Sequence, residues 1–203
     1  QTLREIIELN LPEGDFLVDD MFPLPSVEDY PSYVRENDVA AIILDERLNE
    51  SKDPETGNHI EYYGHDIIDL LRGALPDFPV YVVTTFRTSQ DLLNKEEKFE
   101  DVIERDEFMK KAELYSQRIQ RAASRFRSSM QQNLVDLNDL TVKAAEGRIS
   151  PEEMSRLSAI RQVLGLPFSV SPELLITDLL VDARSLAKES EELLGLLQEK
   201  VKK

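Results

Sequence analysis

The chain has 203 residues, of which 41% are apolar and 32% charged, so it can build one packed domain of ordinary size plus an extension. It has no cysteine and two histidines, His59 and His65, which excludes a disulfide framework, a thiol nucleophile, a thiolate metal site and a His-rich metal cluster. The net charge of −16 is uneven: residues 1–107 hold 27 acids and 9 bases, whereas residues 108–203 hold 13 acids and 15 bases.

An acidic half repels a phosphate backbone, so direct nucleic-acid binding is not expected there. No apolar run reaches the roughly 18 residues of a membrane helix, and no secretory signal opens the chain. A cytoplasmic location with no membrane association is the expectation. The sequence begins on Gln1 inside a stretch that already reads as helix, so further residues are expected upstream.

Residues 1–10 read as the end of a helix, and Phe16-Leu17-Val18 as a short strand. Ser26 is placed to cap a helix running to about Glu36. Residues 39–44 are a continuous apolar run ending at Asp45, and residues 80–83 are another ending at Thr84 and Thr85. Runs without alternation fit strands buried on both faces of a parallel sheet. Between them Ile67, Ile68, Leu71 and Leu75 recur at helical spacing, and Pro76 and Pro79 close that helix. The three pieces predict a βαβ unit. A weaker strand is expected at 101–104.

From about residue 106 the pattern becomes helical. Residues 107–145 contain no Gly or Pro, and Ile119, Ala123, Phe126, Met130, Leu134, Leu137 and Ala144 form an apolar stripe. Gly147 should end that helix. Ser150-Pro151-Glu152-Glu153 announces another over 150–164, with a serine cap, proline at the first position and glutamate at the third. Met154, Leu157, Ile160 and Leu164 should share one face. Ser171-Pro172-Glu173 opens a last helix over 172–202. There Ile176, Leu179, Leu186, Leu193 and Leu197 form a seam for another helix. The expected organisation is an α/β domain over 1–107 and an all-helical extension over 108–203.

Functional groups of an open α/β sheet collect at the carboxyl ends of the strands. Asp45, Thr84 and Arg105 would meet there as a carboxylate, a hydroxyl and a cation. Such a set could accept a phosphoryl group on the carboxylate, bond it through the hydroxyl and offset its charge with the cation. The basic run of Lys110, Lys111, Arg118, Arg121, Arg125 and Arg127 reads as a solvated face, or as a contact for an acidic partner or for the acidic half of this chain.

Three stretches carry a resemblance. Asp45-Glu46-Arg47-Leu48, Pro79 to Thr84 with the helix from Gly64 to Arg72 before it, and Asp101 to Asp106 together resemble the response-regulator receiver domain over residues 38–108, about a third of the chain. The resemblance implies a flavodoxin-like parallel sheet, with Asp45 as phosphoacceptor, Thr84 and Arg105 as phosphate-responsive residues, Mg²⁺ as cofactor, and a histidine kinase as partner. It departs from the family in several ways. Arg105 stands where the family has lysine, Asp106 where it has proline, and Val102 where it has a switch aromatic. An insertion of about ten residues lies between Asp45 and Gly64. Asp19 and Asp20 are the candidates for the family's metal-binding acidic pair. Only 24 residues separate Asp20 from Asp45, too few for the usual helix, strand and helix, so the first strand is expected upstream of Gln1.

Three functions follow as expectations. The first is a signalling module that docks or responds through the Asp45 edge and binds a protein partner, or itself, through the last helix. The second is a structural adaptor in a larger complex, with a degenerate, non-phosphorylated receiver like those of bacterial defence systems. The third and least favoured is a metal-dependent hydrolase using Asp45, Asp19 and Asp20; no Gly-rich phosphate loop, Ser/His/Asp set or zinc motif supports an enzyme.

Overall fold

The structure, a computed structural model, describes residues 2–11, 16–54, 56–85 and 90–166. The helix predicted over 172–202, with its seam of Ile176, Leu179, Leu186, Leu193 and Leu197, lies outside the described residues.

Three short strands, β1 (Ile42–Leu44), β2 (Val80–Thr84) and β3 (Asp101–Glu104), form a parallel sheet in the order β1-β2-β3. The register pairs Leu44 with Val82 and Thr84 with Glu104. Helices α1 (Leu3–Asn10) and α2 (Tyr30–Glu36) precede the sheet, and α3 (Gly64–Ala74) joins β1 to β2. The short α4 (Gln90–Asn94) lies between β2 and β3, and α5 (Arg105–Lys110) follows β3 directly. Then come the long α6 (Ala112–Ala145) and α7 (Pro151–Val163). The fold class is α/β, as the apolar runs and the α3 periodicity indicated.

The continuous apolar run of β2 has the expected consequence: all five of its residues are buried. Val80 and Val82 enter one apolar cluster with Tyr30, Ile67, Leu71, Phe78 and Phe126. Tyr81 and Val83, pointing the opposite way, enter a second with Ile6, Ile7, Phe108 and Ile119. The sheet is therefore covered on both faces, which is what a parallel sheet requires.

Several local expectations need correction. Phe16, Leu17 and Val18 belong to no strand. Ser26 does not cap a helix; its hydroxyl bonds the Glu28 carboxylate instead, and a 3-10 turn (Val27–Asp29) leads into α2. The predicted helix over 107–145 is interrupted at Lys111, whose N–H donates to both Glu107 and Phe108 carbonyls as α5 ends. Leu134, placed in the apolar stripe, is exposed, and Leu140 is the buried residue further along α6.

The described chain forms two compact units. The first takes residues up to Leu134 together with Val163–Gly165; the second takes Val135–Gln162 and Leu166. The division falls inside α6 because the first part of that helix supplies core: Ile119 and Ala122 to one cluster and Phe126 to the other.

In the second unit Gly147, at φ +67°, ends α6 in the left-handed conformation, and the Arg148 N–H donates back to the Lys143 carbonyl. The capping box read at Ser150 is present, with Glu153 N–H donating to Ser150 Oγ at 3.2 Å and Ser150 N–H donating to Glu153 Oε2 at 3.0 Å. Lys143 pairs with Glu153 at 2.5 Å, and Arg156 pairs with Asp136.

Within the first unit, Arg35 of α2 holds the returning segment. Its Nε donates to the Val163 carbonyl at 3.0 Å and a terminal nitrogen donates to the Ala74 carbonyl at 3.1 Å. Burial pushes the guanidinium pKa down. Gly165, at φ +69°, lies so close that an added Cβ would meet the Arg35 side chain at 2.9 Å. Hydrogen bonds from a charged donor contribute about 1.5–3 kcal/mol, so Arg35→Ala should lower stability by about 2 kcal/mol in urea unfolding, whereas an unchanged midpoint would make the latch incidental.

Candidate functional site

The carboxyl edge of the sheet brings together the residues singled out from sequence. Asp45 follows the last residue of β1, Thr84 ends β2, and Arg105 follows the last residue of β3. Since β2 is central, a contact between the outer two strands must pass over the end of β2. Arg105 makes it: a terminal guanidinium nitrogen donates to Asp45 Oδ2 at 3.1 Å. Two strand spacings are about 9–10 Å, a gap that arginine and aspartate bridge together only by reaching toward each other. Thr84 is fully buried below this bridge's strand end.

The pair is half open to water, with side-chain exposures of 48% for Arg105 and 43% for Asp45. An ion pair so exposed contributes about 0–1 kcal/mol to folding.

Asp19 and Asp20 lie in an irregular segment, and Asp19 pairs with Arg4 at 3.5 Å. Among the described residues no three His, Asp or Glu side chains gather in a way that could hold a metal ion. Asp45 Oδ2 faces a guanidinium and its Oδ1 faces the Arg47 N–H at 3.4 Å. Mg²⁺ takes an octahedron of oxygens, usually including one or two carboxylates beside a substrate phosphate. In this arrangement Asp45 Oδ2, an oxygen that a Mg²⁺ would need, is held by Arg105.

The residues that sequence reasoning missed sit directly beside Asp45. Glu46 is 2% exposed and His65 8% exposed. His65 Nδ1 and Glu46 Oε1 are 2.5 Å apart, and the His65 backbone N–H donates to Glu46 Oε2 at 3.2 Å. Glu46 is thus a carboxylate at the N-terminus of α3, where the helix dipole and free N–H groups favour negative charge. The Gly64 N–H donates to the Glu46 carbonyl at 2.9 Å. The other ring nitrogen of His65 faces Asp66 Oδ1 at 3.4 Å. Tyr63 stacks on the imidazole with 5.5 Å between centroids. Lys95 donates to the His65 carbonyl at 3.1 Å and pairs with Asp69, whose carboxyl is held below its usual range by Lys98 and Lys95. Glu46 and His65 together clamp α3 onto the end of β1.

The segment between Asp45 and Gly64 makes contacts within itself. Lys52 and His59 form an isolated antiparallel bridge, and the Asp53 N–H donates to the Asn58 carbonyl at 2.9 Å. Ile60 and Tyr62, just after it, are buried in the core, with the Tyr62 hydroxyl donating to the Leu24 carbonyl at 2.5 Å. The basic run on α6 turns toward its own acidic half: Arg118 pairs with Asp101 at 3.4 Å and Arg125 with Glu100 at 3.8 Å. Of the readings open at the sequence level, that intramolecular contact is present.

Compared with known proteins, the chain matches no protein-family model, no curated protein and no solved structure.

Proposed function

We infer that this protein is a regulatory docking module of receiver-like, flavodoxin-like type, in which the Asp45 edge serves as a contact surface and does not take a phosphoryl group. The observation that carries the reading is the Arg105–Asp45 ion pair across the end of β2. It joins the two outer strands through half-exposed groups whose contribution to folding is small. The parallel order β1-β2-β3 with a helix between β1 and β2 supports the receiver-like comparison. The Arg105 guanidinium on Asp45 Oδ2 supports the non-phosphorylated form, because it holds an oxygen that would have to attack the phosphoryl donor. On this reading the protein is not an enzyme, has no resident cofactor, and binds a protein partner through its helical region as an adaptor or signalling subunit.

A second reading keeps phosphorylation. It is favoured by Asp45, Thr84 and Arg105 lying at one sheet edge. Acetyl phosphate or beryllofluoride with Mg²⁺, applied to the full chain and to Asp45→Asn, separates the two. The docking reading expects no uptake in either protein. Uptake by the parent chain that disappears in Asp45→Asn would establish the phosphoacceptor reading instead. The substitution is suited to the test, since losing this exposed pair should cost less than about 1 kcal/mol.

A further inference from the structure

The segment between α1 and the 3-10 turn at Val27–Asp29 has an unusual surface. Leu17 is 88% exposed and Phe22 66%, and Met21 beside Phe22 is exposed as well. Asp19, Asp20, Met21 and Phe22 are four consecutive exposed residues. The ends of the segment are fastened: Arg127 stacks over the Phe16 ring at 4.8 Å, Val18 packs against the second apolar cluster, and Leu24 is held by the Tyr30 and Tyr62 hydroxyls.

The backbone of this segment is equally uncommitted. No backbone group of residues 16–23 hydrogen-bonds to another backbone group among the described residues. Phe16-Leu17-Val18 has the composition of a strand yet pairs with none. Three large exposed apolar side chains within six residues are not the isolated surface residues that a folded chain normally carries. The local charge is negative, since Asp19 and Asp20 face a single Arg4, and the half of the chain around them is strongly acidic.

We propose that residues 16–22 are a docking edge for an extended protein segment in which adjacent Lys or Arg residues are flanked by apolar side chains. The partner adds its backbone to this segment, as in strand addition; the Asp20 N–H, which donates to Asp19 Oδ1 at 2.9 Å, stays with that side chain. Its apolar side chains cover Leu17, Met21 and Phe22. Its basic side chains meet Asp19 and Asp20, which sets register and disfavours acidic competitors. The proposal does not rest on the Asp45 edge.

The test is selection of a phage-displayed random peptide library on the full chain, followed by affinity measurement of the winning peptides. The expected winners carry basic residues between apolar ones. Leu17→Ser with Phe22→Ser should weaken them at least about tenfold, which is 1.4 kcal/mol. Asp19→Asn with Asp20→Asn should weaken them less and flatten the salt dependence, and Asp45→Asn should bind as the parent does. Because all four positions are exposed, these variants should keep the parent's urea midpoint. Peptides without basic residues, peptides indifferent to both double variants, or no selected peptides would each overturn the proposal. So would a concentration-dependent dimer, seen by sedimentation and abolished by Leu17→Ser with Phe22→Ser, because the edge would then belong to a second copy.

Discussion

Gly64→Ala should destabilise the protein by about 3 kcal/mol, the upper end of the usual overpacking cost. A Cβ at this position would lie 2.4 Å from the Asp45 carbonyl oxygen and 3.2 Å from Glu46 Cα. Both obstacles are backbone, so no side-chain rotation relieves the clash. Either α3 must lift from the end of β1, breaking the bond from Gly64 N–H to the Glu46 carbonyl, or the strand end must shift. The same helix supplies its own control. Gly73 has nothing within 4 Å of its hypothetical Cβ. Gly73→Ala should therefore stabilise by about 0.5–1 kcal/mol through helix propensity. Urea unfolding of both variants checks the argument, and equal midpoints would show that the close approach at Gly64 is not a constraint.

Glu46→Ala should cost about 1–3 kcal/mol, the range for leaving a buried hydrogen-bonding partner unsatisfied. The loss is twofold: the imidazole of His65 keeps its burial without its partner, and the N-terminus of α3 loses a carboxylate that accepts the His65 N–H. Replacing both residues, as Glu46→Leu with His65→Leu, should recover much of the loss, since two apolar groups need no partner. If the double variant instead costs the sum of the two single ones, the pair acts as two independent residues and the clamp does not exist. Stability and the Asp45 edge are linked here: loosening α3 frees the Asp45 carbonyl that Gly64 presses upon, so Glu46 variants should also perturb whatever docks there.

The first two strands were legible because they are short unbroken apolar runs punctuated by Asp45, by the Pro76 and Pro79 stops, and by Thr84; β3, with an acid at each end, gave a weaker signal. The α7 start was legible because Ser150, Pro151 and Glu153 each act on their own backbone. Within the candidate site, Asp45 and Arg105 could be placed together once the strands were parallel and consecutive. Glu46 and His65 could not, because their contact is tertiary: residues nineteen apart in sequence meet only when α3 docks on β1. A sequence signal existed in the second acid that follows a doubly buried strand and in an imidazole at the second position of a helix. Such signals become decisive only with the packing in view. Phe16, Leu17 and Val18 show the opposite limit. Their strand-forming composition is real, but a strand needs a partner, and none of the described residues supplies one.

The way α6 serves both apolar clusters bears on how the protein is made. Phe126 completes the cluster on one sheet face, while Ile119 and Ala122 complete the other. A nascent chain that has emerged only to the end of β3 has all three strands, but one face still lacks Phe126 and the other lacks Phe108, Tyr115, Ile119 and Ala122. Its βαβ unit can form early from contacts close in sequence, yet it stays sticky until the first part of α6 has cleared the ribosome. The exposure of Val80 to Val83 during that interval is the period when aggregation competes with folding.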